Sequence, residues 1–249
     1  MEVVSQLDFK KSGKTIPQLT VPMIKDKKIP VPPLEVQRQI IDECEKIDAE
    51  YNYIRTNIEE CRNKINASFE ELDAMNKINK LSLVDKNNFE ISIGRRVLNS
   101  ALVSDGTIPV FSANVFEPFG YIDKLLIEDF SKDSVLWGID GDWMVNFYPK
   151  DKQFYPTDHC GVLRVLTDKV HPRYMARLLE IEGEKMKFSR SYRASIDRVE
   201  GITVNVPSIE EQNVVIEKVL ELENKIKELE QSLHAFEQKK VEILESHLN

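Results

Sequence analysis

Two stretches of this 249-residue chain hold side chains of the types that do covalent or metal chemistry. Asp158-His159-Cys160 contains the members of a nucleophilic triad. Neighbours in an extended strand point to opposite faces, so His159 is poorly placed to activate Cys160, and packing is the expected role. A metal site built from His159, Cys160 and His171 lacks paired-ligand spacing, and Asp140-Gly141-Asp142 lacks the later acidic ligands of a calcium loop. Asp140-Gly141 reads instead as a hairpin turn. No glycine-rich cofactor loop follows a strand and no Walker phosphate loop is present. The reading is of a non-catalytic chain with no catalytic residues, no metal and no cofactor.

A third stretch has the chemistry of contact with nucleic acid. Lys185, Lys187, Arg190, Arg193 and Arg198 face a single acid, Asp197, over fourteen positions, with Phe188, Ser189, Ser191 and Tyr192 interleaved. Lys and Arg neutralise phosphates, Ser and Tyr donate to them, and Arg grips guanine edges in the major groove. Arg95 and Arg96, after Gly94, form a second basic pair. The expected DNA-binding set is therefore Lys185, Lys187, Arg190, Tyr192, Arg193, Arg198, Arg95 and Arg96. The competing reading is a solvated loop that keeps its domain soluble.

The elements around these residues are short. Phe89–Ile93, Ile108–Phe111, Ser134–Trp137, Met144–Tyr148 and Val162–Leu166 are strand-like and bounded by Gly, Asp, Asn or Pro. Pro172 opens a helical pattern that ends near Gly183, which places the basic stretch in a loop. Residues 77–207 thus read as one mixed α and β domain of about 130 residues, enough for its own core.

On either side of that domain the chain repeats itself. Ile29-Pro30-Val31-Pro32-Pro33-Leu34-Glu35-Val36-Gln37 returns 175 positions later as Val204-Asn205-Val206-Pro207-Ser208-Ile209-Glu210-Glu211-Gln212. Proline in a first turn and an acid just inside it mark a helix start. Beyond each start, apolar residues recur in steps of three and four, the spacing of a coiled-coil seam. The expected pairing positions are Ile47, Tyr51, Ile54 and Ile58 in the first helix and Leu222, Ile226, Leu229 and Leu233 in the second. A helix from Leu34 to about Asn76 would be roughly 60 Å long and needs a partner along its side.

Charge follows the same division. The net charge is -8, with 11 basic against 14 acidic residues over 1–76 and 5 against 10 over 208–249, while 77–207 holds 18 of each. The helices are acidic and the basic stretch is local to the insert. No stretch approaches the ~20 apolar residues that cross a bilayer, so a cytoplasmic protein is expected. Three cysteines, two of them on seam positions, read as small apolar packers and not as a disulfide framework.

These residues resemble the specificity subunits of type I restriction-modification enzymes. The phrase Ile29–Gln37 is similar to the start of that family's spacer helix, and Thr15-Ile16-Pro17-Gln18-Leu19 to the tail of a preceding target-recognition domain. Trp137-Gly138-Ile139-Asp140-Gly141 with Thr157-Asp158-His159-Cys160-Gly161-Val162-Leu163 is similar to the core of one class of those domains. The resemblance implies an α+β fold, with one mixed α/β target-recognition domain inserted between two long helices that pair as an antiparallel coiled coil. It implies four segments: 1–28, a preceding domain's tail or an N-terminal extension; 29–76, a first spacer helix; 77–207, the recognition domain; and 208–249, a second spacer helix.

The function so implied is sequence-specific recognition of double-stranded DNA at a bipartite target. Methylation and ATP-dependent cleavage would come from partner methyltransferase and restriction subunits. The family plan has two recognition domains and this chain has one, so it is either a half-subunit, which should form a homodimer, or the C-terminal part of a longer polypeptide. Phe116-Glu117-Pro118-Phe119 departs from the Asp/Asn-Pro-Pro-Tyr/Phe motif of amino-methyltransferases at two positions, and that activity is not expected here. The alternative is a coiled-coil protein-protein interaction module with no DNA binding.

Overall fold

The computed structural model describes residues 31–248. The expected tail at 1–28, with Thr15–Leu19, lies outside the described residues, as do Ile29 and Pro30 of the first repeat. Two long helices bracket the chain: α1 spans Leu34–Ala74 and α4 spans Ile209–Leu248. At 41 and 40 residues each is about 60 Å long. The described chain divides into two compact units, a helical one of residues 31–64 and 221–248, and a larger one of Ile65–Leu220.

In the helical unit an apolar stripe runs along both helices. Ile47, Ile58 and Cys61 are buried, and Tyr51, Ile54, Leu222, Ile226, Leu229 and Leu233 are half-buried, while most residues between them face solvent. Arg62 donates to Glu230 at 3.2 Å. One to three turns back along α1, Ile58, Arg55 and Asn52 share a groove with Leu233, one turn further along α4. Going backward on one helix while advancing on the other defines an antiparallel pair, held by a three-and-four apolar stripe as in a coiled coil. No helix among the described residues is long and apolar enough to cross a membrane.

The larger unit is built on a four-stranded antiparallel sheet in the order β2-β8-β5-β6, with β2 at Phe89–Ile93, β5 at Ser134–Gly138, β6 at Val145–Tyr148 and β8 at Cys160–Val165. Both faces of its centre are covered. Along β5, Val135 and Trp137 point into the main core while Leu136 points into a second core with Phe111, Val115, Phe154, Cys160 and Val162. This is why Ser134–Trp137 is apolar without alternation: a strand sandwiched between two layers has no solvent face.

Helices close the main core. The end of α1 (Leu72), α2 (Pro172–Lys185), the short α3 (Ile196–Glu200) and the first turns of α4 (Val215, Ile216, Val219) all contribute to it. Two strands unforeseen in the sequence, β1 (Asn79–Ser82) and β9 (Thr203–Val206), pair antiparallel. They join the segment leaving α1 to the segment leading into α4. A third sheet, β4-β3-β7, combines Gly120–Ile122, Ile108–Phe111 and Tyr155–Pro156. The three cysteines are free thiols, and Cys61 and Cys160 are buried as apolar packers.

The sequence repeat is physical down to single bonds. Gln37 Nε2 donates to the Pro32 carbonyl at 2.7 Å, and Gln212 Nε2 donates to the Pro207 carbonyl at 3.0 Å. The second copy is further committed. Gln212 is fully buried, its Nε2 also reaches the Lys169 carbonyl, and its Oε1 accepts from the His171 N–H at 2.9 Å. In the first copy Gln37 is half-buried, and no further bond of its amide is made among the described residues. Val31, Leu34 and Ile41 are exposed there, whereas their counterparts Val206 and Ile216 are buried and Ile209 is half-buried. Only the second copy carries a capping box: the Ser208 hydroxyl accepts from the Glu211 N–H, and the Glu211 carboxylate accepts from the Ser208 N–H.

Candidate nucleic-acid interface

At one end of the four-stranded sheet β2 and β5 finish while β8 and β6 begin. The antiparallel order therefore brings four strand ends, belonging to three connections, to one end of the sheet, where the basic segments lie. After β5 the chain turns at Asp140-Gly141, where Gly141 has φ +91°, a conformation that side-chain-bearing residues rarely adopt. The hairpin returns through Trp143. Its indole N–H donates to the Glu180 carbonyl at 2.9 Å, and its ring lies against Gly183 of α2, where a Cβ would fall 2.2 Å from the indole.

Trp143 is the base of an aromatic stack. Phe188 is buried with its ring 5.1 Å from Trp143, Tyr192 stacks on Phe188 at 5.8 Å and 19°, and the Arg198 guanidinium sits 3.9 Å over the Tyr192 ring. Cation–π and stacking contacts of this kind contribute ~0.5–1.5 kcal/mol each. They fix both flanks of a tight turn in which Ser189 and Tyr192 exchange two backbone hydrogen bonds of 3.0 Å. Past the turn, Ala194 is buried, donates to the Ile139 carbonyl at 3.1 Å and accepts from the Trp137 indole at 2.9 Å.

The predicted contact residues take distinct positions. Arg190 stands at the tip of the turn and Lys187 before it, both exposed. Lys187 has φ +60°, a strained backbone for a residue with a side chain. Neither makes a side-chain hydrogen bond or ion pair among the described residues. Arg193 reaches back to the hairpin, where its Nε and Nη2 both engage the Asp140 carboxylate, the latter at 2.8 Å. Asp140 also pairs with His159 Nδ1. Arg198 donates to the Arg193 carbonyl at 2.7 Å. Lys185 is bound to Glu182 at 2.6 Å and closes α2.

The basic stretch is thus not all loop. Lys185 belongs to α2 and Arg198 to α3, because Ser195 and Gly201 bound a single helical turn that the sequence reading passed over. Arg95 and Arg96 follow β2 at the same end of the sheet. Gly94 is pressed against the Pro156 carbonyl, Arg95 N–H donates to that carbonyl at 3.2 Å, and both guanidinium groups are exposed.

The nucleophile-like triplet separates, but not by strand alternation: Asp158 and His159 lie in a turn and only Cys160 is in the strand. Cys160 is fully buried on β8, and burial pushes its thiol up to about 12, far from a thiolate at neutral pH. His159 turns the other way, to Asp140 and, at 3.8 Å, to Asp158. His171 lies elsewhere and serves as the N-cap of α2, its Nδ1 accepting from the Arg173 N–H. Asp140, His159 and Trp143 as the frame of the basic turn were not foreseen. The signal available was the Asp-Gly turn, but its partner Arg193 is 53 residues away.

Four cations with no carboxylate partner among the described residues, two on the connection after β2 and two on a turn whose flanks are locked, make a surface suited to a polyanion. Lys187 and Arg190 can reach an anion without breaking any side-chain bond made among the described residues. Arg193 carries its own carboxylate counterpart into the site.

Comparison with known proteins places this architecture. The fold matches the S subunit of a type I restriction-modification system from M. genitalium with a TM-score of 0.65 at 16% identity, over 96% of this chain and 68% of that one. A chain from a structure of a type I R-M system complex assembly matches with a TM-score of 0.55 at 16% identity, over 95% and 65%. In sequence, the specificity subunit of the type I restriction enzyme MpnII of Mycoplasma pneumoniae is 26% identical over 149 residues, 59% of this chain and 44% of that one. Two further M. pneumoniae chains named for type I specificity match at 27% over 92 residues and 26% over 149. The chain spans about half the length of these curated relatives, 49% and 62% for the last two. Residues 3–63 and 86–238 match the domain described as the type I restriction modification DNA specificity domain, and the chain belongs to that family.

Proposed function

We propose that this chain is a DNA-reading subunit of a type I restriction-modification assembly, with no catalytic step of its own. The larger unit reads a duplex through the sheet end that gathers Lys187, Arg190, Arg193, Arg198, Tyr192, Arg95 and Arg96, while Lys185 is held back by Glu182. The α1 and α4 pair acts as the spacer to which methyltransferase and restriction subunits attach, in the cytoplasm. The observation that carries the reading is the aromatic-braced turn: a protein that only needed solubility there would not lock Phe188, Tyr192 and Ala194 to hold Arg190 outward.

A second head completes a bipartite target. Among the described residues the Gln37 amide bonds to the Pro32 carbonyl alone, whereas Gln212 also binds the Lys169–His171 segment, and Val31, Leu34 and Ile41 beside Gln37 are exposed. This supports association of two copies into a two-headed assembly. The alternative of a coiled-coil adaptor without DNA leaves the exposed cations unused.

The test is binding of the purified chain to duplexes enriched from a random pool, measured by anisotropy at several salt concentrations. With about four phosphates neutralised by Lys187, Arg190, Arg95 and Arg96, log Kobs should fall against log salt with a slope of about -3.6. Arg190→Ala should bring that slope about 0.9 closer to zero. Binding indifferent to both salt and sequence refutes the reading.

A further inference from the structure

We infer that the Phe116–Phe119 loop is a second, uncharged DNA-contact element, one that meets bases and not phosphates; the inference rests on the DNA-reading function proposed above. Phe116 is 58% exposed and Phe119 48%, the two most exposed aromatic rings of a unit that covers most of the others at least in part. Water expels such rings, so a loop that keeps them out has to be held.

It is held at three points. Asn114 Oδ1 accepts from the N–H groups of Phe116 and Glu117 at 3.0 and 3.2 Å, fixing the tip as an Asx turn. The Val115 side chain is fully buried, and its carbonyl accepts from Asn146 at 2.7 Å. Phe119 N–H donates to the Val110 carbonyl at 2.7 Å. The loop therefore cannot collapse to hide the rings without breaking its own bonds.

Its position is the second argument. The Ala113 carbonyl lies so close to Gly138 that a Cβ there would be 2.3 Å away, and the Ser112 hydroxyl meets the Thr157 hydroxyl at 3.2 Å. Gly138 leads into Asp140, and Thr157 accepts from the His159 N–H. The aromatic loop thus rises from the same sheet end as the Arg193–Asp140–His159 group. The opposite side of the strand end, through Trp143, carries the basic turn.

Chemistry separates the two elements. Glu117 beside Phe116 repels phosphate, while a carboxylate accepts from the cytosine amino group and a phenyl ring packs on a thymine methyl or a base face. A basic turn supplying attraction and an apolar loop supplying base contact is the division of labour that sequence reading requires.

The experiment compares wild type, Phe116→Ser and Phe116→Trp on a duplex enriched from a random pool by the wild-type chain. Phe116→Ser should bind that duplex ~10-fold more weakly with an unchanged salt slope, because no charge is removed, and Phe116→Trp should stay within about 2-fold. Melting temperatures should agree, since the ring makes no core contact. Equal affinity of Phe116→Ser and wild type overturns the inference, as does a loss that comes with a changed salt slope. If the variant binds DNA normally but no longer co-purifies with an added methyltransferase subunit, the loop is a protein-binding face and the inference is wrong. If wild type itself enriches no duplex, the failure lies with the DNA-reading function and not with the loop.

Discussion

Asp140→Asn should make this protein bind DNA more tightly and less selectively. The Asp140 carboxylate takes two nitrogens of Arg193 and one of His159, so in the free chain it acts as the counter-charge that a phosphate would otherwise supply. The Arg193 side chain is 54% exposed and that of Asp140 28%. At such exposure an ion pair contributes under about 1 kcal/mol to folding, and asparagine retains one acceptor for the guanidinium. Stability should therefore change little. DNA binding should change more, since a released Arg193 adds one neutralised phosphate. The slope of log Kobs against log salt should steepen by about 0.9, equivalent to roughly eightfold tighter binding at 0.1 M relative to 1 M salt. The gain should be larger on random duplex than on the enriched one, where Arg193 has a fixed place. Anisotropy titrations at four salt concentrations on both duplexes, with a thermal melt as control, read all of this. An unchanged slope, or weaker binding of the variant to random duplex, refutes the role given to Asp140.

Three other outcomes are expected. His171 caps α2 through an unprotonated Nδ1, and burial lowers its pKa from the ordinary 6.5; the folded chain then binds fewer protons than the unfolded one. Its contribution is complete above ~6.5 and is lost as pH falls below it, so wild type should lose stability as pH drops below about 6.5 relative to His171→Asn, which caps without titrating, as followed by urea unfolding. Ile54→Asp should lower the stability of the helical pair by about 2–3 kcal/mol in circular-dichroism melts, against almost nothing for Tyr53→Asp on the exposed side. Lys187→Gly should relieve about 1 kcal/mol of backbone strain at φ +60° while making the salt slope of DNA binding about 0.9 shallower; a variant that is less stable would contradict the strained assignment.

What could be read in the sequence depended on how local the cause was. The seam from Ile47 to Leu233 is legible because each turn of helix repeats the same demand, and Ser134–Trp137 because a strand covered on both faces is apolar throughout. Asn79–Ser82 and Thr203–Val206 escaped notice because their pairing is set by residues more than a hundred positions apart. The basic residues were found by composition, but their arrangement was not. Whether Arg193 is free or tied to Asp140 depends on a turn, a sheet end and a helix exit meeting in space, and no spacing in the chain encodes that meeting. Phe116 and Phe119 were noticed for a resemblance to a catalytic motif, and only the Asn114 turn reveals them as displayed.

The Ser189–Tyr192 turn has a consequence for how such a chain can change over generations. What clamps it lies at its flanks; at its crest Arg190 makes no side-chain bond among the described residues, and Ser191 shares a single hydroxyl–hydroxyl bond with Ser189 at 3.2 Å. Replacing them alters what is presented without disturbing the clamp, so variants with new preferences need not pass through poorly folded intermediates. The crest is an exchangeable bit in a fixed chuck, and its identity is free to drift as fast as selection on targets asks.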